Sequence, residues 1–462
     1  SSMPPTAAQH HRDSTMVSMA TRSHDAAETR GQKRRDSPGV CFPCCAQHLC
    51  ALWCVILLAV LAFACLAVSY DAANQFVTLS PKSLLVRDDE GRLYTPDNMT
   101  ENPLSQVAVG EIGACLSEQL EGNFSLYSAD HGWALVRFPS RPTARLETAE
   151  LAAWWLPAAN ITAPRVVVGH GYGRNFDASY VQYVAYFLRS IGISALVLNY
   201  RDHGLSANTS THHSVWGWSY PDDMLGAWDY AVHDPDGLLG GPLEPGQVGL
   251  LGFSMGGFVA ATAFGLEPRV PAVWLESAAF SVEGVLAPGI AQDLDSPLLG
   301  WLLGPHATRL SNVITGVDLS YNHPDKALRM SSSTKARPVA MIANELDVIV
   351  PFEQSQRYFD LFDEETALYN LTERWIMKYE CGVETHVNAF AWAPDDYREK
   401  LCKFWASAFG KEQSSCGLDE LPFFPQCGPE PSCPTPPREA FAGTLHRRLQ
   451  RTDHIAGGFY FA

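Results

Sequence analysis

The chain is poor in basic residues: 33 Lys and Arg stand against 50 Asp and Glu, so its 462 residues carry a net charge of −17. Residues 1–49 hold six basic and four acidic residues, and the rest of the chain therefore carries −19. Proteins that bind nucleic acid present a basic face to the phosphates, which an acidic body would repel. The charge balance argues against nucleic acid as a partner. The hydrophobic fraction of 46% argues equally against a disordered chain.

Residues 49–68 lack any charged side chain. Twenty helical residues extend about 30 Å, the thickness of a bilayer core. A helix buried in a soluble core normally keeps polar residues on one face, and this run shows no such face. We predict a transmembrane helix over residues 49–69, preceded by a disordered polar tail over residues 1–48. A cleaved signal peptide is the alternative, but the long preceding tail favours an anchor.

Charge asymmetry and glycosylation sequons predict the orientation of this span. Four basic residues lie shortly before it, at positions 30, 33, 34 and 35, and two follow closely, at positions 82 and 87. Basic flanks stay in the cytoplasm, so we expect a cytoplasmic N-terminus and a lumenal or extracellular body. Asn-x-Ser/Thr sequons are missing before the span, and we expect glycans on the five that follow it. These are Asn98, Asn123, Asn160, Asn208 and Asn370.

The cysteines lack the spacing of a metal site. Cys41 and Cys44 form one pair with no well-spaced second pair, so we predict no metal. Together with Cys45 they lie beside the span, where reversible palmitoylation and an unmodified cluster are both open. Six cysteines follow the span, and in an oxidising compartment they allow three disulfides in 15 possible pairings. These are Cys115, Cys381, Cys402, Cys416, Cys427 and Cys433.

The pattern of apolar residues divides the rest of the chain. Residues 70–131 show no pattern that assigns a fold. From residue 132 to 410, continuous apolar runs alternate with helical periodicity, which predicts a mostly parallel sheet with helices on both faces. Residues 281–335 interrupt this order with a short cap insertion, which either covers an apolar pocket or packs as core. Residues 411–462 form a Pro- and Cys-rich tail.

A candidate nucleophile lies in the segment 252–257, Gly-Phe-Ser-Met-Gly-Gly. An apolar run precedes this segment and a stretch of small residues follows it. In that context G-x-S-x-G forms a sharp strand-to-helix turn that presents its serine at a helix N-terminus. Ser254 is therefore the predicted nucleophile.

Two further strand ends supply a base and a carboxylate. A nucleophilic serine needs a base to take its proton and an acid to orient that base. Asp347 follows the predicted strand at 338–343, and His386 lies in the loop after the predicted strand at 374–379. The order Ser254, Asp347, His386 fits a triad whose members meet at the carboxyl ends of the strands. Glu345 is the alternative acid.

The same chemistry needs N–H donors for a developing oxyanion. Residues 170–173, His-Gly-Tyr-Gly, follow a predicted strand and form what we call the glycine loop. We assign the backbone N–H groups of Tyr172 and Met255 to the oxyanion hole. His170 is expected to be a structural hydrogen-bonding residue rather than a second base.

Residues 132–410 resemble the α/β-hydrolase superfamily, in the branch of monoacylglycerol lipases, lysophospholipases and serine aminopeptidases. The resemblance rests on the glycine loop, the segment 199–206 (Asn-Tyr-Arg-Asp-His-Gly-Leu-Ser), the Ser254 turn and the loops of Asp347 and His386. It implies an α/β-hydrolase fold, here preceded by a single transmembrane helix, and a structural role for residues 201–206. Family members commonly have Gly three residues before the acid, where this chain has Asn344, a residue that tolerates a left-handed backbone.

These features predict a membrane-anchored serine hydrolase that cleaves carboxylic esters. Its partners would be a small-molecule or lipid acyl ester and, through residues 49–69, the membrane; the mechanism needs no cofactor. A serine peptidase is one alternative, but the sequence offers no convincing acidic cluster for a charged peptide terminus. A catalytically inactive binding module is another, disfavoured because all three triad residues are present. Epoxide hydrolases and dehalogenases are disfavoured because the turn carries Ser rather than Asp.

Overall fold

The computed structural model describes residues 42–80, 95–96, 132–209, 212–378, 386–387, 389–417 and 419. Most of the predicted tails at both ends and most of segment 70–131 lie outside the described residues. The same holds for Cys41, Asn98 and Asn123 among the residues singled out above.

An eight-stranded sheet forms the centre of the described domain, in the order β1-β2-β4-β3-β5-β6-β7-β8. Strands β1 and β2 pair antiparallel, as do β2 and β4, and every other neighbouring pair is parallel. The mostly parallel sheet predicted from the sequence is therefore confirmed. The strands are β1 (Ala134–Pro139), β2 (Glu150–Leu156), β3 (Arg165–Gly169), β4 (Ser194–Leu198), β5 (Val248–Phe253), β6 (Val273–Glu276), β7 (Arg337–Asn344) and β8 (Tyr369–Met377).

Helices cover both faces of this sheet, and alternate residues of the central strands therefore pack in two separate apolar clusters. Val167 packs in one cluster, whereas Val166 and Val168 pack in the other. All residues of β3, β4 and β5 are buried, which explains their continuous apolar runs. The helices are α1 (Phe42–Val77), α2 (Ser179–Ser190), α3 (Tyr220–His233), α4 (Met255–Leu266), α5 (Glu283–Asp293), α6 (Pro297–Thr315), α7 (Pro324–Arg329), α8 (Phe352–Glu364), α9 (Ala389–Trp392) and α10 (Pro394–Ala408).

Helix α1 contains a stretch, Cys50–Val77, that is long and apolar enough to cross a membrane. The helix continues beyond residue 69, the predicted end of the span, to Val77. Its character changes along this length: Leu57 and Phe63 are exposed, whereas Ala73 and Phe76 are fully buried. The last turns of α1 therefore belong to the apolar core of the domain.

Three helices, α5, α6 and α7, connect β6 to β7 within the predicted cap insertion. Helices α5 and α6 pack closely because glycines of α6 face Ala287: a Cβ built on Gly304 would lie 2.4 Å from the Ala287 Cβ. One row of α6 faces solvent instead, since Leu298 is 68% exposed and Trp301 is 74% exposed.

The loop 201–206 after β4 is held by buried polar contacts. Arg201 donates from Nη2 to Asp223 Oδ1 over 2.6 Å, and from Nε to the same oxygen over 2.9 Å. Such a buried pair costs about 3–5 kcal/mol to break, because one charge is left unpaired. Ser206 Oγ donates to the carbonyl of Asn199 over 2.7 Å and closes the loop. These contacts fit the structural role that the resemblance implies.

One disulfide lies within the described residues and joins Cys402 of α10 to Cys416. It ties the start of the Pro- and Cys-rich tail to the last helix of the domain. Of the 15 pairings that the sequence leaves open, only those that contain this bond remain. They differ in how the other four cysteines pair with one another. Those four, Cys115, Cys381, Cys427 and Cys433, lie outside the described residues.

Candidate active site

Ser254 lies in a sharp turn between the end of β5 at Phe253 and the start of α4 at Met255. Its φ of 54° and ψ of −117° are unusual for a residue with a Cβ, and such backbone costs on the order of 1–3 kcal/mol. Two contacts fix it: the Ser254 N–H donates to the Glu276 carbonyl over 2.9 Å, and its own carbonyl accepts from the Gly257 N–H over 3.0 Å. The turn therefore has the strand-to-helix geometry predicted from the sequence.

The glycine two residues after Ser254 permits a close approach of two chain segments. A Cβ built on Gly256 would lie 2.5 Å from the carbonyl oxygens of both Gly169 and His170. Real Cβ atoms do not approach backbone oxygens so closely, so only glycine fits here. The N-terminus of α4 thereby packs directly against the start of the glycine loop.

Asp347 and His386 form a buried hydrogen-bonded pair. His386 donates from Nδ1 to Asp347 Oδ2 over 2.7 Å, and both side chains are almost completely buried. The other oxygen, Asp347 Oδ1, accepts from the backbone N–H groups of Ile349 and Val350, each over 2.9 Å. The carboxylate is thus held from two sides, and its geometry fixes the orientation of the imidazole ring.

The alternative acid, Glu345, points elsewhere. Its carboxylate forms an ion pair with Lys378 over 2.9 Å, and more than a third of its side chain is exposed.

Asn344 keeps an ordinary negative φ and its Oδ1 accepts from the Leu346 N–H over 3.1 Å. The tolerance of Asn for left-handed backbone is therefore not used here; its side chain forms the turn instead.

The segments that carry Ser254 and His386 meet through the end of β6. The Glu276 carbonyl accepts from the Ser254 N–H, and the Ser277 hydroxyl accepts from the Val387 N–H over 3.3 Å. His386 Nε2 is buried without a hydrogen-bond partner among the described residues. A hydrogen bond from Ser254 Oγ to Nε2 is therefore not formed in this structure, as is common in enzymes without substrate.

The glycine loop lies against Ser254. A Cβ built on Gly171 would lie 3.3 Å from the Ser254 Cβ and 2.8 Å from the Tyr180 hydroxyl. The Gly171 N–H donates to that hydroxyl over 2.9 Å, which fixes the loop from the α2 side. Met255 contributes the first N–H of α4, a group with no partner within its own helix.

Two buried histidines support the glycine loop as neutral groups. His170 donates from Nδ1 to the Gly171 carbonyl over 2.9 Å, and its ring centroid lies 5.0 Å from that of His203. Burial, together with the neighbouring His203, holds the pKa of His170 well below its usual range. Burial also lowers the pKa of His203 to about 4. These contacts agree with the structural role expected for His170.

Sequence reasoning missed Glu276, a fully buried carboxyl at the end of β6. Its Oε1 accepts from the Ala389 N–H over 3.2 Å, and its Oε2 accepts from the Tyr397 hydroxyl over 2.9 Å. Both donors follow His386 in the chain, so Glu276 ties the segment after His386 to the sheet. Burial raises the pKa of this carboxyl to about 7, against the opposing effect of its hydrogen bonds. A lone carboxylate ending an apolar strand was the signal available in the sequence.

The described sequon residues Asn160, Asn208 and Asn370 are all exposed. Their side chains are accessible, and glycosylation of all five sites stays a prediction. Within the described ranges, no group of three or more His, Cys, Asp or Glu side chains is placed to hold a metal ion.

Comparison with known proteins finds one family model and several solved structures that are similar to part of this chain. The family model described as "Serine aminopeptidase, S33" matches residues 162–360, less than half of the chain. An esterase from Pyrococcus furiosus is 18% identical, with a TM-score of 0.44 over 61% of this chain and 94% of its own. An α/β hydrolase from a Penicillium species is also 18% identical, with a TM-score of 0.43 over 60% and 99%. No significant relative was found among curated proteins.

The pH dependence of stability should report the buried Glu276. Its folded-state pKa of about 7 lies above the ordinary value of 4.5 for a glutamate, so the unfolded chain loses this proton first as the pH rises. Stability should therefore fall between about pH 4.5 and 7, by about 3 kcal/mol at 1.36 kcal/mol per pKa unit. Glu276→Gln does not titrate: its amide oxygen can accept from the Ala389 N–H and its NH2 group can donate to the Tyr397 hydroxyl, so its advantage over the parent in denaturant midpoint should grow across this range. Glu353→Gln, at an exposed position, controls for the substitution, and a constant difference at all pH values would contradict the assignment.

Proposed function

We propose that this chain is a membrane-anchored serine hydrolase of the α/β-hydrolase superfamily that cleaves carboxylic esters. The observation that carries the proposal is the buried hydrogen bond between Asp347 and His386. Both residues follow the carboxyl ends of strands, as does Ser254, which immediately precedes α4. Because Nδ1 is bound to Asp347, Nε2 is the ring nitrogen that remains for proton transfer. A neutral imidazole held in this tautomer is what a serine nucleophile requires.

In the proposed mechanism, His386 Nε2 takes the proton of Ser254 Oγ as that oxygen attacks the ester carbonyl carbon. The carbonyl oxygen becomes an oxyanion, to which the N–H groups of Tyr172 and Met255 donate. The imidazolium returns the proton to the leaving alkoxide as the C–O bond breaks, and an acyl-enzyme remains. Water then attacks the acyl carbon while giving a proton to His386, and that proton passes back to Ser254 Oγ as the carboxylic acid leaves.

A serine peptidase is the second candidate, because the matching family model is described as a serine aminopeptidase. The triad serves amide and ester substrates alike, so the triad does not separate the two. An aminopeptidase also needs a carboxylate that binds the free amino group of its substrate. Two carboxylates near Ser254, those of Asp347 and Glu276, are occupied by hydrogen bonds. This favours the ester substrate.

Lipid acyl esters are the substrate class that we propose, on the basis of two apolar surfaces. Helix α1 carries a stretch long enough to span a bilayer. Helix α6 presents Leu298, Trp301 and Leu302, which follow one another at helical spacing and are all exposed. Rows of exposed apolar side chains are typical of surfaces that contact lipid or another protein. An enzyme tethered to a bilayer with such a row is suited to esters that reside in the bilayer.

Chemical labelling tests the nucleophile. A fluorophosphonate should modify the full chain in detergent, and Ser254→Ala should abolish the labelling because the attacking oxygen is gone. His386→Ala should slow it by roughly 10³-fold or more, since the base is lost. Ser407→Ala, which removes an exposed serine of α10, is the matched control and should label at the parent rate. A folded parent protein that does not label would refute the proposed activity.

Substitution on α6 tests the lipid preference. Trp301→Asp should lower hydrolysis of an ester in vesicles by about tenfold and leave a short water-soluble ester unaffected, because only the former requires contact with a bilayer. Leu238→Asp changes an exposed apolar residue outside α6 and serves as its control. Equal losses with both esters, or a soluble ester hydrolysed far better than any lipid, would contradict the preference.

Enzymatic removal of glycans tests the proposed lumenal or extracellular orientation. In eukaryotic cells, endoglycosidase should increase the electrophoretic mobility of the chain, because N-glycans are added only on that side. Replacing Asn160, Asn208 and Asn370 together by Gln should reduce the shift. Unchanged mobility of the parent chain after treatment would exclude the assigned orientation.

A further inference from the structure

The end of helix α1 contacts the glycine loop directly. The Tyr172 hydroxyl donates to the carbonyl of Phe76 over 2.5 Å and lies 3.3 Å from the carbonyl of Gln75. The last four carbonyls of a helix have no partner within that helix. Tyr172 therefore caps the C-terminus of α1 from a loop that lies 96 residues later in the sequence.

Aromatic packing reinforces this cap. The ring of Phe76 is fully buried and stacks on Tyr172, with centroids 5.3 Å apart and planes inclined by 10°. Phe76 also packs against Trp216, with centroids 5.4 Å apart, and the rings of Trp216 and Tyr172 lie 6.1 Å from each other. Trp216 in turn contacts Phe258 of α4, the helix that begins at the candidate nucleophile, over 5.5 Å. A continuous aromatic cluster thus joins α1 to the glycine loop and to α4.

The chain after α1 holds the loop at a second point. The Ser80 hydroxyl donates to the Gly173 carbonyl over 2.9 Å. The Val77 carbonyl accepts from the Ser214 N–H over 2.8 Å, and Thr78 forms an isolated β-bridge with His213. Residues 75–80 therefore contact both the segment at residues 213–214 and the glycine loop, and these contacts hold the loop against the end of α1.

The loop would be poorly defined without these contacts. Gly173 has a φ of +67°, and Gly171 carries no side chain, so two of the four residues contribute little rigidity of their own. Tyr180 and His170 hold the Gly171 end from within the domain. At the Tyr172–Gly173 end, α1 and Ser80, three residues after its end, supply the contacts described above. An oxyanion donor must be held within a few tenths of an ångström of its productive position.

We propose that the C-terminal turn of α1 positions the oxyanion hole, so that the helix carrying the membrane span is also part of the active site. The Tyr172 side chain and Phe76 are the positioning groups, and they act through the backbone N–H of Tyr172. This inference rests on the proposed serine hydrolase function. It implies that the span cannot be exchanged for another anchor ending before residue 76 without loss of rate.

Tyr172→Phe in the full chain tests the inference, because it keeps the ring and the backbone N–H and removes only the hydroxyl. The rate constant for fluorophosphonate labelling and kcat for a soluble ester should both fall roughly tenfold, with KM unchanged, since the oxyanion forms only in the transition state. Hydrogen exchange of backbone amides over residues 170–176 should become faster. Tyr369→Phe is the matched control, because the Tyr369 hydroxyl also donates to a backbone carbonyl, that of Leu328 over 2.7 Å, away from the site.

The two readouts separate this inference from the function on which it rests. If Tyr172→Phe matches the parent in both rate and exchange, or if only exchange changes, α1 does not position the oxyanion hole. If the parent itself never labels, the hydrolase function fails, and exchange alone then decides whether α1 holds the loop. Equal losses in Tyr172→Phe and Tyr369→Phe, with equally lowered thermal midpoints, would reduce the effect to general stability and overturn the inference.

Discussion

The positive φ of Ser254 is the constraint around which the site is organised. A side chain in this backbone region is strained, and the strain persists only when the surroundings fix the turn. Here β6 supplies an acceptor for the Ser254 N–H, and Gly256 brings α4 within contact of the glycine loop. The same two neighbours carry the remaining machinery: the end of β6 holds the segment after His386, and the glycine loop holds Tyr172. The strained turn at Ser254 and the segments that carry the other candidate site residues are thus held by the same contacts.

Several buried polar groups around this turn are stabilised by hydrogen bonds to a neighbour or by being neutral. Asp347 is satisfied by two backbone N–H groups and one imidazole, which spares the pair the cost of an isolated buried charge. Glu276 lies where its carboxyl is easily neutral, and a neutral carboxyl is tolerated in an apolar layer between strands. His170 and His203 are likewise held neutral by burial. The candidate site therefore rests on hydrogen-bonded carboxyl groups and neutral histidines, which limits the desolvation that folding must overcome.

Much of this arrangement could be predicted from the sequence, since its signals are local. Apolar runs of β3, β4 and β5 indicate buried strands, and the positions of Ser254, Asp347 and His386 just after such runs indicate one sheet edge. The catalytic roles of these residues stay a prediction. The role of Glu276 could not be predicted, because no sequence motif marks a carboxyl whose hydrogen-bond partners lie more than a hundred residues later. The pairing of Cys402 with Cys416 also depends on how α10 ends, which periodicity does not reveal.

The sequence of α1 conceals a change of role along one helix. The pattern of apolar residues in a helix is the same whether its surroundings are lipid or protein, because both favour burial of the same side chains. Only tertiary contacts distinguish the exposed stretch around Leu57 from the turn in which Phe76 stacks on Tyr172. Hydropathy therefore places the end of the membrane span at residue 69 and says nothing of where the domain begins. The helix is continuous to Val77, so the apolar stretch and the turn that contacts the glycine loop belong to one secondary-structure element whose two parts have different surroundings.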